Sequence, residues 1–176
     1  RQVGDKRGEG NNLGNLGTLY YRTGQYEQSI SHFEQALGIA RMIGNKRSEG
    51  ISLGNIGNVY RHLGQADQAI SHYRQAIDIA RQVGANRNEG TFLGNLGDVL
   101  GSNGKLEEAE QRLSAAVEIC RETFPLAAGA FSGSLAWLWA RQQQTEKALQ
   151  MLQEGEALVE VNPLEHGKFL CKKARV

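Results

Sequence analysis

The sequence predicts an all-α fold, an α-α superhelix built from stacked antiparallel helical hairpins. Three observations carry the prediction. The chain repeats itself every 40 residues, each repeat holds two apolar patterns of helical spacing, and glycine stands where those patterns stop. The segment from Glu9 to Arg47, EGNNLGNLGTLYYRTGQYEQSISHFEQALGIARMIGNKR, recurs from Glu49 as EGISLGNIGNVYRHLGQADQAISHYRQAIDIARQVGANR, with more than half of its positions identical. A third copy starts at Glu89. A fourth has drifted, and in it Gly129, Gly133 and Leu135 take the places of Gly90, Gly94 and Leu96.

Taken in order, the repeats are expected at about 8–47, 48–87, 88–124 and 125–161, with a partial fifth over 162–176, all in one array spanning 1–176. In the first repeat, Leu13, Leu16, Leu19 and Tyr20 mark one face of a first helix from about Gly8 to Thr23. Gly24 closes it at the position where a left-handed cap is usual. Ile30, Phe33, Ala36, Leu37 and Ala40 mark a second helix, ending at Arg41 and Gly44. Arg41, Arg81 and Arg121 fall in last turns, and Glu9, Glu49 and Glu89 in first turns, as the helix dipole favours. Pro125 and Pro163 open the first helices of the fourth and fifth repeats, with Asn162 as an N-cap. His166-Gly167-Lys168-Phe169-Leu170 begins the fifth. Arg1-Gln2-Val3-Gly4 reproduces Arg81-Gln82-Val83-Gly84, so the chain reads as a window on a longer array.

Composition narrows the function classes. A formal net charge of +1 gives no footprint for nucleic acid or an anionic membrane surface. No apolar run approaches the roughly 18–20 residues of a membrane helix. Cys120 and Cys171 lack CxxC or metal-ligand spacing and read as idle reduced thiols of a cytoplasmic protein. The glycine-rich stretch Gly8–Gly17 lacks a Walker Lys-Ser/Thr and a preceding strand, so it is no phosphate loop. His32 and His72 lie at equivalent places on second helices and are expected on the convex side or at a helix junction, without metal. Glu107, Glu108 and Glu110 read as a solvated helix start. No nucleophile, base and orienting group can be assembled, so a binding protein without cofactors is expected rather than an enzyme.

The repeats resemble the tetratricopeptide repeat. Its pattern is matched by Leu16-Gly17, Tyr20, Gly24, Ser29, Phe33 and Ala36, and again by Ile56-Gly57, Tyr60, Gly64, Ala69, Tyr73 and Ala76. The third repeat keeps Leu96-Gly97, Gly104, Ala109 and Ala116 but has Leu100 and Leu113 at the aromatic sites. The fourth has Leu135-Ala136, Trp139, Gln143, Ala148, Leu152 and Gly155, so its turn glycine is lost. The 40-residue period exceeds the family's roughly 34. With the recurring phrase LGNLG, it resembles the cell-polarity adaptors LGN and Pins and arrays attached to bacterial multidomain signalling proteins. The resemblance implies a non-catalytic scaffold that binds a peptide or protein segment in a concave groove.

In the family register that groove is lined by Asn15, Asn55, Asn95 and Ser134, by Gly14, Gly54, Gly94 and Gly133, and by Thr18, Asn58, Asp98 and Trp137. One turn on come Tyr21, Arg61, Gly101 and Ala140, then Arg22, His62, Ser102 and Arg141. A carboxamide offers donors and an acceptor to an extended peptide backbone, although each Asn could instead tie its helix to a neighbour. Each helical glycine costs about 1 kcal/mol against alanine. The glycine row therefore either deepens the trough or admits tight helix packing, and both readings stand. Trp137 and Arg141, four apart on one helix face, are candidate anchors; the rival reading is that a continuation of the array covers Trp137. The basic residues outnumber Asp98, which favours an acidic partner segment. A structural or oligomerising spacer, self-associating with an empty groove, is the alternative.

Overall fold

Among the described residues, five glycines adopt the left-handed conformation that side chains resist: Gly24 (φ 76°), Gly44 (68°), Gly64 (71°), Gly84 (63°) and Gly104 (79°). Each closes a helix with the same two backbone hydrogen bonds. At the first turn the Gly24 N–H donates to the Tyr21 carbonyl (3.2 Å) and the Gln25 N–H to the Tyr20 carbonyl (2.9 Å), a Schellman cap. The fourth repeat makes this pair of bonds without glycine, and Gln143 takes the left-handed backbone at φ 61°.

The computed structural model describes residues 3–160 together with Phe169, Leu170 and Lys173. These residues form eight helices: α1 (Val3–Arg22), α2 (Tyr26–Met42), α3 (Lys46–His62), α4 (Ala66–Gln82), α5 (Asn86–Ser102), α6 (Leu106–Thr123), α7 (Pro125–Arg141) and α8 (Thr145–Val159). Among the described residues there is no strand. Asn45 caps α3 by accepting from the Ser48 N–H at 3.1 Å. Pro125 opens α7, where a missing N–H costs no hydrogen bond. None of these helices is long and apolar enough to cross a membrane.

The chain divides into two compact units, residues 1–85 and 86–176. In the first, α1–α2 and α3–α4 form hairpins and α2 packs on α3; in the second, α5–α6 and α7–α8 form hairpins and α6 packs on α7. The bare backbone of Gly17, Gly57 and Gly97 explains how closely the first three hairpins shut. A Cβ placed on Gly17 would lie 2.7 Å from the Phe33 ring, one on Gly57 would lie 2.8 Å from the Tyr73 ring, and one on Gly97 would lie 2.6 Å from Leu113. The consensus aromatic, or the leucine replacing it, thus sits directly on bare backbone. Ser29 adds a hydrogen bond across the same seam, from its hydroxyl to the Gly17 carbonyl at 2.8 Å.

Two expectations need correction. Helix α1 begins at Val3, ahead of Gly8, and its first-turn acid is Asp5. Glu9 therefore lies a turn deeper, where it pairs with Lys6 at 2.6 Å, one turn away on the same helix face. The apolar stripe of α1 is also only partly covered: Leu16 and Leu19 are 42% and 56% exposed, against 1% and 0% for their counterparts Ile56 and Val59. Helix α3 is packed by both α2 and α4, whereas α1 meets α2 and only narrowly α3. Arg1 and Gln2, Asn162, Pro163, His166 to Lys168 and Cys171 lie outside the described residues. Of the partial fifth repeat, Phe169 is buried against Ala136, Ala148, Leu152 and Val159.

Candidate binding site

Between α1 and α3 the first unit leaves a cleft of about 380 Å³. Gly14 and Asn15 line it from α1, Ser52 and Asn55 from α3, and Phe33 and Ala36 from α2. Neither the Asn15 nor the Asn55 carboxamide makes a hydrogen bond to any described residue, so both present unused donors and acceptors to the cleft. Among the described residues, the one charged side chain on its lining is Arg7.

One substitution within the repeat accounts for the opening. Ser52, Phe92 and Phe131 occupy the same place in successive repeats. In the second unit, the Phe131 ring of α7 lies so close over Gly94 of α5 that a Cβ there would collide with it. In the first unit, Ser52 stands where Phe131 stands in the second, and nothing lies within 4 Å of a Cβ on Gly14. Both readings of the glycine row are therefore realised, in different places. Gly94 admits a packed ring, and Gly14 faces open space.

The far end of α1 and α3 gathers an aromatic cluster. The His62 ring meets Tyr21 edge-on at 5.1 Å and stacks on Tyr26 at 6.1 Å, and Tyr21 and Tyr26 are 6.2 Å apart. Burial raises the Tyr21 hydroxyl pKa above its ordinary value, although the hydrogen-bonded Arg61 guanidinium opposes this. Burial, assisted by Arg61, lowers that of His62. Sequence reasoning had Tyr21, Arg61 and His62 on the groove wall but missed Tyr26, which opens the second helix and falls outside the first-helix register. At the next repeat the counterparts of Tyr26 and His62 are Ala66 and Ser102, so the ring stack cannot recur there.

The other predicted residues divide. Asn58 accepts a 2.7 Å hydrogen bond from the Tyr73 hydroxyl, which gives its carboxamide a structural task inside the α3–α4 hairpin. Asn95 and Asp98 are half-buried on α5 and already engaged by other groups. Arg22 is exposed. On α7 the Arg141 guanidinium lies 5.0 Å above the Trp137 ring, a cation–π pair one helical turn apart. Trp139 instead donates its indole N–H to Glu110 at 2.8 Å, tying α7 to α6. His32 and His72 donate to the Gln28 and Gln68 carbonyls and lie against Tyr20 and Tyr60. Cys120 is a free, buried thiol whose pKa burial pushes up to about 11, against the pull of Arg87.

Three family profiles described as Tetratricopeptide repeat match the chain, over residues 48–122, 13–46 and 130–154. No curated protein sequence matches it. Among solved structures, aspartyl phosphate phosphatase F from Bacillus subtilis is similar with a TM-score of 0.87 at 18% identity, covering 96% of this chain and 45% of that one. A Rap protein complexed with competence and sporulation factor gives 0.82 at 20% identity, over 96% and 47%. BtubC (BKLC) from P. vanneervenii gives 0.75 at 16% identity, over 99% and 84%. The chain spans about half the length of the first two. At these identities the likeness shows a shared fold.

Proposed function

Because the chain belongs to the tetratricopeptide-repeat family, whose profiles match most of its length, we propose that it is a protein-interaction module holding an extended peptide segment in the α1–α3 cleft. The observation that carries this is a pair of carboxamides on one cleft, Asn15 and Asn55, that make no hydrogen bond to any described residue. Each can give an N–H and take one, which is what a peptide backbone running between two helices requires. Arg7 on the lining and the exposed Arg22 on the same helix favour an acidic segment. In the second unit the Trp137–Arg141 pair is a separate candidate anchor. A Rap protein of the same fold has been solved in complex with competence and sporulation factor, which supports a bound partner here. On this reading the chain has no catalytic role, takes no cofactor, and serves a larger signalling protein in the cytoplasm, a reducing compartment suited to a buried free Cys120.

The test is an array of acidic peptides probed with wild type and with the double variant Asn15→Ala, Asn55→Ala. Loss of two hydrogen bonds should weaken binding about tenfold and leave the melting temperature unchanged, since neither carboxamide holds the fold together. Unchanged binding, or a drop of several degrees in melting temperature, would defeat the proposal. A second reading, a self-associating spacer, rests on the uncovered Leu16 and Leu19 of α1. It calls for a concentration-dependent mass in sedimentation that Leu19→Lys abolishes.

A further inference from the structure

The α1–α3 cleft has the place of a missing aromatic ring. Where the second unit brings α5 and α7 together, Phe131 lays its ring on the bare backbone of Gly94 and is buried there. The first unit keeps the glycine, as Gly14, but substitutes the ring by the Ser52 hydroxymethyl group. What remains is a cleft of about 380 Å³ with Phe33, Ala36 and Ile39 offering apolar surface and Asn15 and Asn55 flanking it. That volume is at the small end of ligand pockets, which run from roughly 300 Å³ to 1,000 Å³. It suits one side chain with its own stretch of backbone.

We propose that this cleft selects a peptide by a phenylalanine-like aromatic side chain, which seats on Gly14 beside Ser52 as Phe131 seats on Gly94. The inference rests on the peptide-binding reading and adds the residue that is recognised. Charge complementarity points to the neighbour of that ring: Arg7 on the lining, with no acid among the described lining residues, calls for an Asp or Glu next to the aromatic residue.

Two experiments on the whole chain test it. In an acidic peptide library whose central residue is Phe, Leu or Ala, wild type should bind the Phe set at least tenfold tighter than the Ala set. Ser52→Phe, which supplies the ring from the chain itself, should abolish that preference while helical circular dichroism and melting temperature hold. Should Ser52→Phe fail to fold, Gly14→Leu fills the same space from the other wall and must give the same loss. In NMR titrations, N-acetyl-phenylalanine methylamide should shift the Asn15 and Asn55 side-chain amide signals, and N-acetyl-alanine methylamide should not. Peptides that bind through Asn15 and Asn55 with no preference for Phe over Ala would overturn the aromatic assignment and leave the broader reading standing. Binding of no peptide at all would overturn both, whereas an unchanged Phe preference in both filled variants would overturn the aromatic assignment alone.

Discussion

Gly14 and Gly94 hold the same place in their repeats, yet a methyl group added to each should have effects of opposite sign. Both lie inside helices, where alanine is favoured by about 1 kcal/mol. At Gly14 the new Cβ enters open space, so Gly14→Ala should stabilise the chain by about 1 kcal/mol. At Gly94 it strikes the buried Phe131 ring, and overpacking of that kind costs about 1–3 kcal/mol, so Gly94→Ala should destabilise it. Urea denaturation of the two variants beside wild type checks both signs, and a shared sign would show the two positions to be equivalent after all. The periodic sequence made these glycines visible as a row but could not separate them. The difference lies in Ser52 and Phe131, residues 38 and 37 positions away along the chain, outside the columns read as groove-lining.

Between elements, the seam from α2 to α3 depends on Glu49. Its carboxylate is buried and accepts from Arg41 at the end of α2 (3.0 Å) and from Lys46 in its own first turn (2.8 Å). Burial raises its pKa, but the hydrogen bonds and charges of Lys46 and Arg41 outweigh burial and hold it below the usual value of 4.5. A folded pKa below the unfolded one gives stability that is present above about 4.5 and is lost as pH falls through the folded value. Thermal melts from pH 6 down to pH 3 should therefore fall more steeply for wild type than for Glu49→Gln, which starts lower by about 1 kcal/mol. Parallel curves would remove Glu49 from the seam. The sequence showed Glu49 and Arg41 at helix ends and assigned both to the helix dipole. That they also meet each other depends on how two helices pack, which spacing along one helix does not report.

At the scale of the whole molecule, the hairpins and their turns were legible because each is closed by local chemistry. A left-handed glycine, a capping Asn45 and a Pro125 at a helix start act within a few residues, so their positions in the sequence fix the ends they make. The proposed binding surface was legible only in part. Asn15 and Asn55 share a cleft as the register implies, and Tyr21, Arg61 and His62 come together. Asn58, by contrast, was drawn inward by the Tyr73 hydroxyl, and Tyr26 joined from the second helix. Both outcomes turn on side-chain reach between helices that the period alone treats as identical from repeat to repeat.

Gln143 has a bearing on where the molecule comes apart. A non-glycine residue in the left-handed region stores about 1–2 kcal/mol, and the turn that carries it joins α7 to α8. Repeat proteins open one hairpin at a time, and amide exchange reads out that order. Within residues 86–160, the amides of α8 should therefore exchange with deuterium before those of α5 and α6, and Gln143→Gly should slow them a few-fold. Exchange of α8 that is unmoved by the substitution would place the weak point elsewhere. Drift in the fourth repeat then amounts to more than lost resemblance: within residues 86–160 it makes the joint between its two helices the one expected to let go first.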